Sequence, residues 1–395
     1  MKHLVIIGGG FSGFWSAMSA VRQSRELGKA NDLKITVINK DNYLTNRPRL
    51  YEAHLDTVRI DLQPLLKPLG VDLVTGLVTG IQPKEQTIAV KKDAEDLTMH
   101  YDYLIVAAGS RLKQPEIPGN HLIHNVDQFE GADNLHKHIA QLAAGSFTGE
   151  GAKTVVVVGG GLTGLETVTG LQEIADKYTS DKLRIILIDR QPELAIGYSN
   201  EAREYINEVL MSSNIELRPG TLPVKVDEDY AYLSNGEKIA TKTVIWTAGF
   251  EASPLNKFLD GNKDNMNRLE VDEHFKLPGY GNISVTGDAA LSKPSDGVYA
   301  TMSCQYSLFQ GKWSGHNAVV DIFGGEKLPY KQSTYVTCVD LGPQRAMFTR
   351  GWDRQLEVKE DAGKKIKMEI NTVWVVPSPD PEANVAAAAP VDPAF

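Results

Sequence analysis

A chain of 395 residues, 42% hydrophobic and 23% charged, carries enough apolar content for two or three globular domains. Its 41 basic and 50 acidic residues leave a net charge of −9, which works against a general nucleic-acid role and against adsorption to an anionic membrane. Two cysteines, Cys304 and Cys338, make neither a disulfide framework nor a zinc pattern, the nine histidines show no metal-ligand spacing, and no metal is expected.

The first apolar run, residues 4–7, is too short for a signal-peptide core, and no run approaches the roughly 18 apolar residues of a membrane span. The expected location is cytoplasmic, with peripheral contact at the inner membrane face left open. That run leads directly into Gly8-Gly9-Gly10-Phe11-Ser12-Gly13. Small and apolar residues at helical spacing follow, and then a β-rich run at 33–40. This order predicts strand, tight turn, helix, strand. In G-x-G-x-x-G, Gly8 permits the turn, Gly10 lets a pyrophosphate approach the backbone, and Gly13 lets helix and strand pack closely. Phe11 and Ser12 open the helix, whose N-terminus favours phosphate. Asn39 stands where an acidic residue usually meets the ribose, and its amide can also hydrogen-bond a hydroxyl. Lys40 and Arg47, just beyond, are counted with the same cofactor site.

Further along, residues 101–110 predict an apolar strand ending at Ala108-Gly109, and Pro115, Pro118 and Gly119 mark a break. Residues 154–171 then repeat the first unit, with Gly159, Gly161 and Gly164 in the same pattern. The strand after it ends at Asp189. An acidic residue there accepts from ribose hydroxyls and repels a 2′-phosphate, so NADH is expected; Arg190 keeps NADPH open. Apolar strands ending in Ala248-Gly249 and in Gly287-Asp288 complete the pattern. Continuous apolar strands belong to a parallel sheet covered on both faces. Residues 330–375 contain β-rich runs, STYVTCVDL and KIKMEINTVWVV, and predict a small mixed domain of strands. The Pro/Ala-rich end, 377–395, predicts a disordered tail that is dispensable for cofactor binding.

The order of these segments resembles the flavoprotein reductases with two dinucleotide sites. The marks are the loop at 8–13, YDYLIVAAGS, the loop at 159–164, TAGF at 247–250 and TGDAA at 286–290. The resemblance implies a glutathione-reductase-like α/β fold: two tandem Rossmann-type domains plus a small C-terminal α+β domain. Its boundaries would be 1–118 with 248–325 for FAD, 119–247 for NAD(P)H, and 326–376. It implies FAD at the first loop, NADH at the second, and Asp288 on the ribityl chain of the flavin. No redox-active cysteine pair is present.

Within that group, Pro48-Arg49-Leu50-Tyr51-Glu52, Gly164-Leu165-Glu166 and residues 304–311 resemble type II NADH dehydrogenases and apoptosis-inducing-factor-like reductases. This places Glu166 beside the flavin and nicotinamide rings. It makes Gln305, with Arg49, Cys304 and Phe309, the border of an acceptor pocket. Cys304, Ser307 and Phe309 depart from the family's quinone-site pattern Ala-Gln-x-Ala-x-Gln. The expected activity is hydride transfer from NADH to FAD and then to a quinone or quinone-like small molecule. Two alternatives stay open: a reductase of a protein electron carrier such as ferredoxin or rubredoxin, and a flavin-bearing redox-sensing interaction protein. A homodimer is also open.

Overall fold

In a computed structural model, which describes residues 1–92 and 95–393, two parallel five-stranded sheets are built on the same plan. In the first, the strand Lys2–Ile7 lies between Tyr103–Val106 and Leu33–Asn39, with Ile283–Val285 and Val71–Thr75 at the edges. In the second, Thr154–Val158 lies between Thr243–Trp246 and Arg184–Asp189, with Ile123–His124 and Glu216–Pro219 outermost. Both central strands are apolar and buried from their second or third residue on, Leu4–Ile7 and Val155–Val158, as strands covered on both faces must be. Each leads through its glycines into a helix, Phe11–Glu26 in one sheet and Leu162–Asp176 in the other.

The chain passes between the sheets twice, and the two crossings pair as antiparallel strands Ser110–Leu112 and Phe250–Ala252. The first sheet is closed by the helix Cys304–Phe323, which lies directly on Phe11–Glu26. A side chain at Gly311 would meet the Ser12 carbonyl oxygen at 2.3 Å, and one at Gly315 would meet that of Ser16 at 2.1 Å. The two backbones therefore approach as closely as only glycine permits.

The C-terminal region departs from expectation. Three antiparallel strands do form, Val336–Asp340, Ala346–Arg350 and Gln355–Lys359. The run KIKMEINTVWVV, however, is helix Glu360–Glu369 continued by a π-helical turn, Ile370–Trp374. Acidic Glu360 and Asp361 occupy the first turn, where the helix dipole favours them. The buried face is Gly363, Lys367 and Asn371. Its i, i+4 spacing is helical, but two of its three members are polar, so a hydrophobic pattern could not reveal it.

The expected disordered tail is also ordered where it is described; Ala394 and Phe395 lie outside the described residues. A helix runs Pro381–Ala387, with the Asp380 carboxylate accepting from Glu382 N. Val385 and Ala388 join Leu4, Ile6, Phe14 and Trp15 in the core of the first sheet. Asn384 is buried and bonded three times to residues 378–380, and Asp392 accepts from Ser333. The low-complexity composition concealed an N-cap aspartate followed by proline, which is a helix-start signal.

Removing residues 378–395 therefore uncovers core rather than trimming a loose end. Loss of the Val385 and Ala388 burial is expected to cost about 2–3 kcal/mol. A truncation before Ser378 should melt several degrees lower than the full chain when unfolding is followed by circular dichroism. An unchanged melting temperature would show that the tail adds nothing to the fold.

Candidate functional site

The helix that opens at each glycine loop lacks a side-chain cap: Gly10 and Gly161 are the N-cap residues, and neither position carries a capping hydrogen bond. Helices beginning at Asn200 and Cys304 are capped by Ser199 and Ser303. The uncapped helices retain free first-turn N–H groups. Around them the glycines divide their tasks alike in both loops. A side chain on Gly8 would strike the Ala107 oxygen at 2.3 Å, and one on Gly13 the Gly8 oxygen at 1.8 Å, whereas Gly10 has nothing within 4 Å. Gly159 is closed by Thr247 and Ala248, Gly164 by the Gly159 oxygen at 1.6 Å, and Gly161 is open. Open middle glycines beside free N–H groups fit a pyrophosphate at each loop.

Asn39 and Asp189 occupy equivalent places. Asn39 Oδ1 accepts from Gly9 N at 3.0 Å, and its amide donates to the Asp41 and Tyr43 carbonyls. Asp189 accepts from Gly160 N and, at 2.7 Å, from Gln191 N. Each side chain fixes its loop, and Asn39 does so without a charge. Arg190 is exposed.

The other residues expected at the first site are brought together in part. Ala108 lies beside Gly8, and Gly109 O accepts from Ser253 N. Gly249 O accepts from Lys113 N at the matching crossing, beside Ala248. Arg47 donates to Asp127 and to Ser110, so its guanidinium is anchored by protein. Asp288 accepts from the Ser110 hydroxyl at 2.7 Å and the Ser307 hydroxyl at 3.1 Å, while Gly287 N donates to Gln310. Ser12 donates to Thr286, and Phe11 is buried in the core. Lys40 is exposed and donates to Gln128. Gln305 Oε1 is buried with no partner among the described residues.

At the second loop, Glu166 is buried and not alone. Its Oε1 accepts from Lys367 Nζ at 2.6 Å and from Asp340 N at 3.1 Å. Burial raises the Glu166 carboxyl above its ordinary range against the pull of Lys367. Burial would lower the Lys367 ammonium, but the Glu166 charge outweighs it and holds the proton on nitrogen. Asp340 in turn takes Lys364 at 2.7 Å and the Tyr51 hydroxyl at 2.9 Å. Arg49 is buried in a forked pair with Glu52, which also accepts from Asn371. Sequence reasoning missed Lys367, Asp340 and Lys364, because they come from the segment it took as strands or loop. Burial pushes the Cys304 thiol up to about 11 and the Cys338 thiol to about 12. Both stay protonated near neutral pH and both are free, which argues against a thiolate nucleophile. Phe309 packs between two apolar clusters. Among the described residues no group of three side chains is arranged to hold a metal ion.

Residues 2–311 match the family model described as pyridine nucleotide-disulphide oxidoreductase. An NADH dehydrogenase-like protein of Mycobacterium tuberculosis is 34% identical over 383 residues, 95% of each chain. A type II NADH:quinone oxidoreductase of Staphylococcus epidermidis is 26% identical over 337 residues, covering 80% of this chain and 81% of that protein. In fold, the chain is similar to NDH2 from Plasmodium falciparum, with a TM-score of 0.77 at 15% identity over 98% and 97% of the two chains.

Because a buried charge costs most when its partner is removed, Lys367→Met alone should destabilise the fold by about 3–5 kcal/mol. The double variant Glu166→Gln/Lys367→Met should recover much of that loss. Denaturant unfolding of the two singles and the double would measure it; additive losses would mean that the two side chains are energetically independent.

Proposed function

We propose that this chain, which belongs to the pyridine nucleotide-disulphide oxidoreductase family, passes reducing equivalents from NADH to a quinone or quinone-like small molecule. It is an NADH-dependent flavin oxidoreductase; the acceptor and the residue roles are the proposal. FAD, when bound, supplies the chemistry that accepts hydride from a nicotinamide and returns two electrons to an acceptor. The free N–H groups at Gly10–Gly13 would hold its pyrophosphate, Asn39 would meet its ribose, and Asp288, held between two serine hydroxyls, its ribityl chain. Gly161 and Gly164 would receive NADH, and the Asp189 carboxylate would favour it over NADPH.

The observation that carries the acceptor is the Glu166–Lys367 pair. Reduction of a quinone by NADH consumes one proton beyond the hydride: NADH + H⁺ + quinone gives NAD⁺ + hydroquinone. A one-electron protein carrier needs no proton delivered to it. Glu166 stands on the helix that starts at the second loop, and Lys367 Nζ and Asp340 N both bond its Oε1. Burial makes that carboxylate readier to take a proton, while Lys367 keeps its own. Such a carboxylate suits proton transfer at a closed site. Gln305, with a buried unpartnered oxygen, would orient the acceptor.

Among the described residues no helix is long and apolar enough to cross a membrane. Met368, Val373 and Trp374 are each exposed on the C-terminal helix and its π-turn, which favours peripheral contact with a lipid surface. Neutral lipid vesicles should therefore pull down the chain, and Val373→Ser/Trp374→Ser should stay in the supernatant; equal sedimentation of the two would remove this contact.

The purified protein should be yellow with one FAD per chain and should oxidise NADH with a soluble short-chain quinone at a one-to-one ratio. In Glu166→Gln, quinone-linked turnover should fall about 100-fold with FAD content unchanged. Full turnover in that variant would remove Glu166 from proton transfer. Reduction of a ferredoxin-type carrier but of no quinone would overturn the acceptor.

A further inference from the structure

The helix Cys304–Phe323 carries one stripe that the fold leaves partly open. Over Cys304–Trp313 every residue is buried except Cys304, Gln305, Phe309 and Lys312. Gln305, Phe309 and Lys312 follow at i, i+4 and i+7, so they share one face of the helix. Seven residues of helix span about 10 Å. One end of the stripe holds the buried, unpartnered Gln305 oxygen. The other end holds an ammonium group without a counter-ion.

Lys312 Nζ lies 4.6 Å from the Trp15 ring and 5.1 Å from the Phe309 ring. Among the described residues no ion pair or hydrogen bond engages it. Lys276, Lys364 and Lys367 each meet a carboxylate instead, at 2.7, 2.7 and 2.6 Å. The place is enforced by the backbone. Gly311 and Gly315 bring the helix onto Phe11–Glu26, and the Ser19 hydroxyl donates to the Lys312 carbonyl at 2.6 Å. Burial alone pushes the ammonium down to about 8, with no neighbouring charge contributing. Trp15 is 6% exposed, and its indole N–H has no acceptor. Cys304, Phe309 and Ile370 pack on the same apolar cluster as Trp15. Two donors thus adjoin in an apolar setting with nothing to accept from them, which is costly for groups drawn out of water. An anionic group would satisfy both.

We infer that Lys312 and Trp15 form a subsite for a carboxylate carried by the electron acceptor, about 10 Å along the helix from Gln305, where its ring would lie. The substrate class is then a quinone-like ring with an acidic side chain, and the inference rests on the reading of a quinone-like acceptor. Calorimetry on the FAD-loaded full chain, without NADH, tests it with a benzoquinone bearing an ω-carboxyalkyl chain of that reach and with its methyl ester. The acid should bind about tenfold more tightly than the ester, the gain of one charge-assisted hydrogen bond. In Lys312→Met the two should bind alike, and in Lys312→Arg the acid should keep its advantage. Raising the pH through about 8 should erase that advantage in the unmodified chain, because Lys312 loses its proton there while the carboxylate keeps its charge. Equal binding of acid and ester by the unmodified chain, or an advantage that survives in Lys312→Met, overturns the subsite alone. Decanoate binding as tightly as the quinone acid would make the stripe a fatty-acid site and overturn its assignment to the acceptor. Failure of both quinones to bind or to be reduced overturns the quinone reading and the subsite with it.

Discussion

A buried ion pair bridges the second nucleotide unit and the C-terminal region, which share no sheet. Glu166 belongs to the helix of the second glycine loop, and Lys367 belongs to the C-terminal helix; their 2.6 Å contact lies away from water. Two charges removed from solvent are tolerated only when each completes the other and the remaining valences are met. The neighbours do this. Asp340 N and the Cys338 carbonyl complete the pair, and Asp340 collects Lys364 and Tyr51 in turn. The three-stranded hairpin sheet, the loop carrying Tyr51 and the C-terminal helix therefore converge on one point.

The two glycine units look alike because they solve the same packing problem, yet they differ in charge at one informative place. Asn39 and Asp189 both anchor the turn through the N–H of its second glycine. The anchoring needs only an acceptor oxygen, so an amide serves as well as a carboxylate. Discrimination against a phosphate needs a charge, and only the second unit has it. Under the proposed assignment of FAD to the first loop and NADH to the second, the same geometry would serve both, and the charge would give only the second a preference.

Residues 1–311 were largely legible because their signals are local. An apolar run, a glycine turn and a small-residue helix each declare themselves within 20 residues, and their repetition at 154–171 makes chance a poor explanation. Asp288 was legible as a motif, but its serine partners at 110 and 307 were not, since three distant segments meet there. Lys367 was illegible for a different reason. A buried lysine and a buried asparagine on one helical face read as polar interruptions, so the segment looked like strand with loops. Its helical period becomes visible only when the partners, Glu166 for Lys367 and Glu52 for Asn371, are placed in space. The tail failed through composition: alanine and proline suggest disorder, whereas Ala388 is fully buried.

The C-terminal third therefore does more than close the fold. From the helix it supplies the cation that holds Glu166, and from the hairpin tip it supplies the aromatic surface beside Tyr198. Both contacts reach the second nucleotide unit. A pair of glycine loops can bind dinucleotides by backbone geometry alone, because N–H groups and missing side chains carry no information about what the rest of the ligand is. Choice of coenzyme and handling of protons require side chains placed at the far ends of that ligand. In the proposed reading Lys367 is such a side chain, and it comes from the segment with the least recognisable pattern, since a side chain matched to a partner in space needs no period in sequence.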